Sequence, residues 1–227
     1  MTSRYLIGLL ALMVILAAAL SGCFGSDEQD GPPATPPPAA VIAADPNVAY
    51  VGTMIQFSGS TSTGNGLKYQ WDFGDGASAA TSTAQHAYAK PGKYSVSLKV
   101  TDTDERVNEA LLAIHVHHLS QYDPTLTPAN GKEDYQIEIT TMSQGFRANL
   151  TYPSGTLNSV ALNLFLPNGT LYGSSAQESR SSGPVQYCEF KVPSQTLAEN
   201  GYENWKAQVK LSAGFSVDCN ITIEVYY

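Results

Sequence analysis

The chain has 227 residues, and 20 acidic side chains outnumber 12 basic ones, giving a formal net charge of −8. Because the basic residues are scattered along the sequence, no basic patch is available for nucleic acid or for an anionic bilayer. Roughly 190 residues follow an apolar N-terminal segment, a length that suits two small domains better than one. Thr, Ser, Tyr, Val, Gly and Asn dominate these residues, as is typical of extracellular all-β proteins.

The N-terminal segment predicts export and lipid attachment. Arg4 is followed by an almost wholly apolar run over residues 5–20, which ends in Leu20-Ser21-Gly22-Cys23. This ending resembles the prokaryotic lipobox, which implies that residues 1–22 are a signal peptide and that Cys23 carries a diacylglycerol group. The protein is then expected on the extracytoplasmic face of the cell membrane. An uncleaved membrane helix over residues 5–20 is the alternative, since roughly 20 residues are needed to span a bilayer.

Residues 23–40 read as a lipidated, proline-rich tether. The run from Gly31 to Ala40 contains five prolines, which cannot donate backbone hydrogen bonds and favour an extended polyproline II conformation at about 3.1 Å per residue. Such a segment separates a folded domain from the membrane surface and performs no chemistry.

Two alternating segments predict the first domain. Tyr69, Trp71 and Phe73 alternate with polar residues and run into Gly74-Asp75-Gly76, which supplies the positive-φ residues of a tight turn. A second alternating strand, over residues 94–100, follows a Pro-Gly pair. A strand with a core tryptophan, a Gly-Asp-Gly turn and a later long strand together predict an immunoglobulin-like β-sandwich.

These residues resemble the PKD domain, a β-sandwich module named for the polycystic kidney disease protein. The resemblance predicts a PKD domain over residues 41–119 and implies a non-catalytic module that contacts proteins or polysaccharide or acts as a spacer. The motif residues that carry it, in a structural role, are Trp71, Asp72, Phe73, Gly74, Asp75, Gly76, His86, Tyr88, Gly92 and Tyr94.

Polar residues of this domain have alternative interpretations. Asp72 and Asp75 fit an acid–base pair or calcium ligands, but no third catalytic group accompanies them, so we expect short side chains that accept hydrogen bonds from turn amides. His115, His117 and His118 form a cluster at the end of the last strand, for which we expect a solvated patch and no zinc site. Some PKD-like domains hold calcium near the domain entrance, and the corresponding residues here are Asp45, Asn47, Asp102 and Asp104.

Residues 120–132 read as a linker and residues 133–227 as a second β-sandwich, either immunoglobulin-like or a jelly roll. Its strands alternate in the same manner, for example over residues 160–166 and 217–225. The segment from Asn163 to Thr170 loosely resembles the jelly-roll modules at the C-terminus of secreted subtilisin-like peptidases. Asn163 and Asn168 stand where those modules carry calcium-binding acids, so metal binding does not carry over and no cofactor is predicted.

Two cysteines remain after Cys23 is assigned to the lipid. Cys188 shares a strand face with Phe190 and Val192, and Cys219 shares one with Val217 and Ile221, so both thiols are expected to point into one core. Outside the cytoplasm a disulfide is the expected outcome. Two free, buried cysteines are the alternative.

No catalytic motif is present: the sequence contains no Gly-x-Ser-x-Gly, no His-Glu-x-x-His and no Gly-rich phosphate loop. We therefore expect a non-catalytic, lipid-anchored surface protein that contacts proteins or glycans. The alternative is a carbohydrate-binding or accessory module that presents a secreted hydrolase. Possible glycosylation sites are Asn149, Asn168 and Asn220, and candidate sugar-stacking aromatics are Phe165, Tyr172, Tyr187, Tyr202 and Tyr226.

Overall fold

A computed structural model describes residues 35–154, 158–175, 180–182 and 185–227. The predicted signal peptide, Cys23 and most of the predicted tether lie outside these residues. Residues Pro36–Tyr227 form one compact unit. Within the described ranges, no helix has both the length and the hydrophobicity needed to cross a bilayer.

The first half of this unit is a β-sandwich. Its three-stranded sheet has the order β1-β3-β6, and it faces β2, β8, β7, β4 and β5 of a larger sheet. The strands are β1 Ala43–Asp45, β2 Val48–Tyr50, β3 Ile55–Ser58, β4 Lys68–Asp72, β5 Ser78–Ala79, β6 Thr83–His86, β7 Gly92–Thr101 and β8 Val107–Tyr122.

The predicted alternation places the core of this half correctly. Trp71 of β4, Val96 and Leu98 of β7, and Ile114 of β8 are fully buried in one hydrophobic cluster, while Lys99 of β7 is exposed. Alternate side chains of a strand point to opposite faces, so a period of two in the sequence determines which residues enter the core. The prediction of an immunoglobulin-like sandwich is confirmed.

The second half is also a β-sandwich. Its four-stranded sheet has the order β10-β16-β12-β13, and it packs on β14, β15, β11 and β18 of the larger sheet, with a two-stranded β17-β9 ribbon. The elements are β9 Thr125–Leu126, β10 Lys132–Ile137, β11 Gly145–Pro153, β12 Ser159–Phe165, β13 Leu171–Ser174, β14 Arg180–Ser182, β15 Val185–Pro193, α1 Ser194–Asn200, β16 Trp205–Ala213, β17 Val217–Asp218 and β18 Asn220–Tyr226.

A second hydrophobic cluster, separate from the first, fills this sandwich. Phe146 of β11 and Trp205 of β16 meet edge-to-face at its centre, with ring centroids 5.3 Å apart. The short helix α1 was not predicted from the sequence, and it contributes only Leu197 to the buried residues. The prediction of a second all-β sandwich is confirmed.

Strand β8 belongs to both sandwiches. Along one edge it pairs first with β2 through residues 115–117 and then with β18 through residues 118–122, while its other edge pairs with β7 up to Val116. The first three residues of the predicted linker 120–132 therefore lie in a strand, and Thr125–Leu126 form β9. The predicted domain limits stay a prediction, but the junction is a continuous sheet with paired backbone groups.

The predicted disulfide between Cys188 and Cys219 is wrong: both thiols are free and buried. The inward orientation of both was predicted correctly, but β11 lies between β15, which carries Cys188, and β18, which Cys219 directly precedes. Leu150 of β11 is the direct neighbour of Cys188 on one side and of Ile221 on the other. Two strand spacings amount to about 9.5 Å, beyond the limit of about 7 Å for a bridged Cα pair.

We expect neither thiol to react with an alkylating reagent in the native protein and both to react after unfolding. Burial raises the pKa of Cys188, and it raises the pKa of Cys219 to about 11, so both thiols are protonated at neutral pH. Alkylation with iodoacetamide, read by peptide mass spectrometry, should modify both cysteines after denaturation without reductant and neither beforehand. Recovery of a peptide pair linked through the two cysteines would contradict the strand order.

Candidate functional site

The acids of the Trp71–Gly76 motif hold a turn together. Asp72 Oδ1 accepts a hydrogen bond from Gly74 N at 2.8 Å, and Asp75 Oδ1 accepts one from Ala77 N at 3.1 Å. Asp75 Oδ2 lies 2.8 Å from His86 Nε2. Burial pushes the pKa of Asp75 upward, but the bonds from Ala77 and His86 outweigh it and hold the pKa below its ordinary value. The carboxylates serve the fold, as the turn interpretation predicted.

His86 and Tyr88 pack this turn onto the core. The His86 ring stacks on Phe73 at 4.5 Å with an interplanar angle of 13°, and it meets Tyr88 edge-on at 4.7 Å. Tyr88 is 1% exposed, and its hydroxyl donates to Phe73 O at 2.9 Å. Tyr94 in turn stacks on Tyr88 at 4.0 Å. The His-x-Tyr spacing of the motif thus reflects an aromatic cluster beneath the turn.

The four calcium candidates are not brought together. Asn47 lies beside His115 of β8, because Asn47 O accepts a hydrogen bond from His115 N. Asp102 lies at the other end of β8, because it follows Thr101, the cross-strand partner of Val107. His115 and Val107 are eight residues apart on β8, which corresponds to roughly 26 Å. Asp102 also has a partner already, because Arg106 Nε donates to its Oδ2 at 2.8 Å. The four candidate residues therefore do not form one calcium site, and the Asp102-x-x-x-Arg106 spacing reflects an ion pair.

The histidines of β8 are not a solvated patch. His117 Nδ1 accepts a hydrogen bond from Tyr227 N at 3.1 Å, and His115 Nδ1 lies 2.7 Å from Tyr227 O. The His117 ring also meets Tyr226 edge-on at 5.3 Å and Tyr50 at 6.3 Å. That expectation failed because the side chains of Tyr50 and Tyr226 and the backbone of Tyr227 pack on the outward face of β8 here. These histidines therefore hold the two sandwiches together.

Charged groups reinforce this junction. Glu224 of β18 accepts from the Tyr50 hydroxyl at 2.6 Å and from the Tyr226 hydroxyl at 3.1 Å, so it links β2 of the first sandwich to the second. Arg147 Nε lies 3.2 Å from Glu189 and 4.0 Å from Glu224, and its guanidinium lies 5.8 Å from the Tyr226 ring centre. Burial together with the bond to Glu224 raises the pKa of Tyr226 to about 12. The network explains the junction and offers no open reactive group.

The candidate sugar-stacking aromatics lie on different surfaces. Tyr172 packs edge-on against Trp205 at 5.5 Å, and Tyr202 packs against the core. Tyr187 and Tyr226 share the outer face of the large sheet. Tyr187 and Asn220 are both cross-strand partners of Thr151, and Asn220 is six residues from Tyr226 along β18, so the two tyrosines are roughly 20 Å apart. Phe165 lies on the other sheet. The described residues therefore contain no aromatic platform made of three of these side chains.

The outer face of the four-stranded sheet carries a row of polar side chains. Asp134, Gln208 and Asn163 are direct cross-strand neighbours on β10, β16 and β12. Gln208 Nε2 donates to Asp134 Oδ1 at 2.7 Å, and Asn163 Nδ2 donates to Gln208 Oε1 at 3.3 Å. Although desolvation opposes it, hydrogen bonding from Gln208 and Lys206 lowers the pKa of Asp134. This row is the clearest candidate contact surface of the second sandwich.

Lys206 and Phe165 border this row. Lys206 Nζ lies 3.2 Å from Asp134 Oδ2 and 4.7 Å from the centre of the Phe165 ring. Sequence reasoning found Asn163 and Phe165 but missed Asp134, Lys206 and Gln208. No signal in the sequence identifies them, because the residues that meet are more than forty positions apart and meet only through the strand register.

The three sequons occupy different environments. Asn168 is exposed in the turn after β12, where its Oδ1 accepts from Thr170 N at 2.9 Å. Asn149 and Asn220 are half-buried on the outer face of the large sheet, and Asn220 Nδ2 donates to Asp123 Oδ1 at 2.6 Å. Glycosylation stays a prediction, and Asn168 is the most accessible of the three. Across the described ranges, no three His, Cys, Asp or Glu side chains converge as a metal site.

We expect Tyr88→Phe to destabilise the protein by about 1–2 kcal/mol, because it leaves the buried Phe73 carbonyl without its hydroxyl donor. Tyr94→Phe is the matched control, since its hydroxyl donates to Lys90 O at a solvent-exposed site. Urea unfolding followed by tryptophan fluorescence gives both values. Equal losses of unfolding free energy in the two variants would show that the buried hydrogen bond of Tyr88 contributes no more to stability than the exposed one of Tyr94.

The junction predicts a loss of stability at acidic pH. Protonation of His117 removes the acceptor for Tyr227 N, and burial lowers the pKa of His117 even though Glu224 opposes it. Because the folded pKa lies below the unfolded value of about 6.5, the unfolded chain takes up the proton first as the pH falls. The free energy of unfolding should therefore begin to fall near that pH and keep falling down to the folded pKa.

His117→Asn should flatten this pH dependence, because an amide oxygen can accept the same hydrogen bond without titrating. His118→Asn, next to it on the opposite face of β8, is the matched control, and its slope should stay steeper than that of His117→Asn. Unfolding free energies measured by urea titration between pH 5 and pH 8 test this. An unaltered slope in His117→Asn would remove His117 as its cause.

Comparison with known proteins agrees with the geometry of the first sandwich. A family model described as PKD domain matches residues 35–116. The chain is 43% identical over 70 residues to a microbial collagenase of Vibrio alginolyticus, a match that covers 30% of this chain and 8% of the collagenase. The chain thus spans less than a tenth of the length of this curated relative.

Two solved structures are also similar. One is the PKD1 domain of the Vibrio cholerae metalloprotease PrtV, with 30% identity, a TM-score of 0.31, and coverage of 35% of this chain and 96% of that domain. The other is a carbohydrate-binding module of the β-sandwich superfamily, with 16% identity, a TM-score of 0.37, and coverage of 86% and 93%. The sequence motif, the turn beneath it and the family match agree that the first sandwich of this chain, within residues 35–116, is a PKD domain.

Proposed function

We propose that this protein is a non-catalytic, lipid-anchored surface protein whose two β-sandwiches contact proteins or glycans. The observation that carries the proposal is the use of the PKD motif itself: Asp72, Asp75, His86 and Tyr88 direct their polar atoms into the turn and its neighbours. A catalytic group must keep a polar atom free for its substrate. These residues are committed to the fold, as the acids of a structural module are.

An accessory role is supported by the family match. The matching relative is named a microbial collagenase, and the shared segment is a small part of it. We infer that the PKD domain serves here as an appended contact module. The fused junction around β8 suits this role, since a continuous sheet keeps the second sandwich at a defined position relative to the first.

Carbohydrate binding is the second candidate, and the row Asp134, Gln208 and Asn163 favours it. Gln208 is buried and holds its two neighbours in place, while Asp134 is exposed and Asn163 half-buried, and both keep hydrogen-bonding capacity beyond those bonds that polysaccharide hydroxyl groups can use. An exposed sheet face also accommodates an extended chain. Carbohydrate binding would be one specific form of the proposed contact function.

The anchoring proposal predicts the behaviour of Cys23→Ser. Without the thiol no thioether to diacylglycerol can form, so the variant should accumulate as unprocessed precursor or leave the membrane fraction, and incorporation of a labelled lipid precursor should be lost. Thr2→Ser, in the same segment, is the control and should label normally. Cell fractionation with metabolic labelling measures both variants. Undiminished labelling of Cys23→Ser would overturn the lipid anchor.

A further inference from the structure

Two lysines face each other on the outer surface of the four-stranded sheet. Lys132 of β10 is the direct cross-strand partner of Lys210 of β16, and both are exposed. The adjacent pair is hydrogen-bonded, with Leu211 N donating to Gly131 O at 2.8 Å. The lysine pair is therefore a non-hydrogen-bonded pair, in which side chains approach more closely. Like charges directly opposite in a sheet are destabilising.

Within the described strands of this sheet, neither lysine forms an ion pair with an acid, although the charge of Lys132 contributes to the lowered pKa of Asp134. Asp134 is the one acid in the outward positions of β10, β12, β13 and β16, and it already binds Lys206 and Gln208. Neither Lys132 nor Lys210 makes an ion pair with a described residue. On the outer face of the large sheet, by contrast, Arg147 and Lys191 both pair with Glu189.

This concentration of positive charge is local. The chain as a whole carries a net charge of −8, and basic residues are few and scattered in the sequence. Three lysines against one aspartate on one sheet face thus oppose the overall charge of the protein. An anionic ligand between Lys132 and Lys210 relieves the repulsion that remains, since each lysine then gains an opposite charge.

We propose that this face binds an acidic polysaccharide, with a uronate carboxylate held between Lys132 and Lys210 and a hydroxyl group held by the half-buried Asn163, which the buried Gln208 positions. The lysine row lies two residues along the strands from the amide row, about 6.8 Å, so one short oligosaccharide can reach both rows. The proposal rests on the proposed contact function and specifies its ligand class.

The surroundings indicate how the ligand is held. One face of the Phe165 ring is covered by Lys206 Nζ at 4.7 Å, so this aromatic is not a free stacking platform on that side. Recognition therefore depends on charge and hydrogen bonds more than on sugar stacking. Contacts between exposed charges are screened by salt, with a Debye length of about 10 Å at 0.1 M, so binding must weaken as salt is added.

The test compares two probes with the full-length protein by isothermal titration calorimetry. Tetragalacturonate should bind, with an affinity that falls as sodium chloride is raised. The fully methyl-esterified tetrasaccharide, which has the same ring skeleton without charge, should not bind measurably. Equal binding of the two probes, or no binding of tetragalacturonate at low salt, would overturn the proposal.

Variants locate the site. Lys132→Gln and Lys210→Gln should each weaken tetragalacturonate binding at least tenfold, while Lys99→Gln, an exposed strand lysine of the PKD domain, should have no effect. Because each of the first two removes the like-charge pair, the melting temperature without ligand should stay the same or rise. A lysine with a merely structural role would lower it when replaced. Binding that survives in both variants would refute this location.

A short poly-glutamate peptide is the last probe. Binding weaker than that of tetragalacturonate supports a glycan ligand, whereas equal or tighter binding would overturn it in favour of an acidic protein partner. These outcomes are separate from those for the proposed function. Failure here leaves the Cys23→Ser result and the contact role of the sandwiches unaffected, whereas loss of the lipid anchor leaves sugar binding by the purified chain unaffected.

Discussion

The structure depends on the backbone pairing of β8. A buried backbone amide or carbonyl without a partner is costly, so a strand that leaves one core and enters another must find new partners at the crossing. β8 does so by exchanging β2 for β18 along one edge at residues 117 and 118. The side-chain network of His117, Tyr50 and Glu224 closes around that exchange. Backbone hydrogen bonds of β8 thus join the two sandwiches.

Orientation along each strand could be predicted from the sequence, and adjacency between strands could not. The alternation around Trp71 and Leu98 identified the buried face correctly, because side-chain direction has a strict period of two. The same rule placed Cys188 and Cys219 in one core but could not show that β11 separates them. Which strands are neighbours depends on the path of the whole chain, and orientation alone therefore predicted a disulfide that the strand order forbids.

The histidines show that the orientation of a side chain does not by itself predict its exposure to solvent. Their outward orientation on β8 was predicted correctly, but an outward side chain is exposed to solvent only where no other part of the protein packs on that face of the sheet. At His115 and His117 the outer face is covered by Tyr50, Tyr226 and the backbone of Tyr227. Sequence motifs fared better for the turn at Gly74-Asp75-Gly76, because an Asx turn is local and its partners are two residues away.

Charge placement separates the two outer faces of the second sandwich. On the large sheet, Arg147 lies between Glu189 and Glu224, so cross-strand neighbours neutralise one another. On the four-stranded sheet, register brings Lys132 to Lys210, although 78 positions separate them in the chain. Asp134 offsets the charge of Lys132 in part, but no described residue forms an ion pair with either lysine, so folding alone does not explain this arrangement. Binding of an anion supplies the missing opposite charge, which is why the lysine face, and not the paired face, is the expected contact surface.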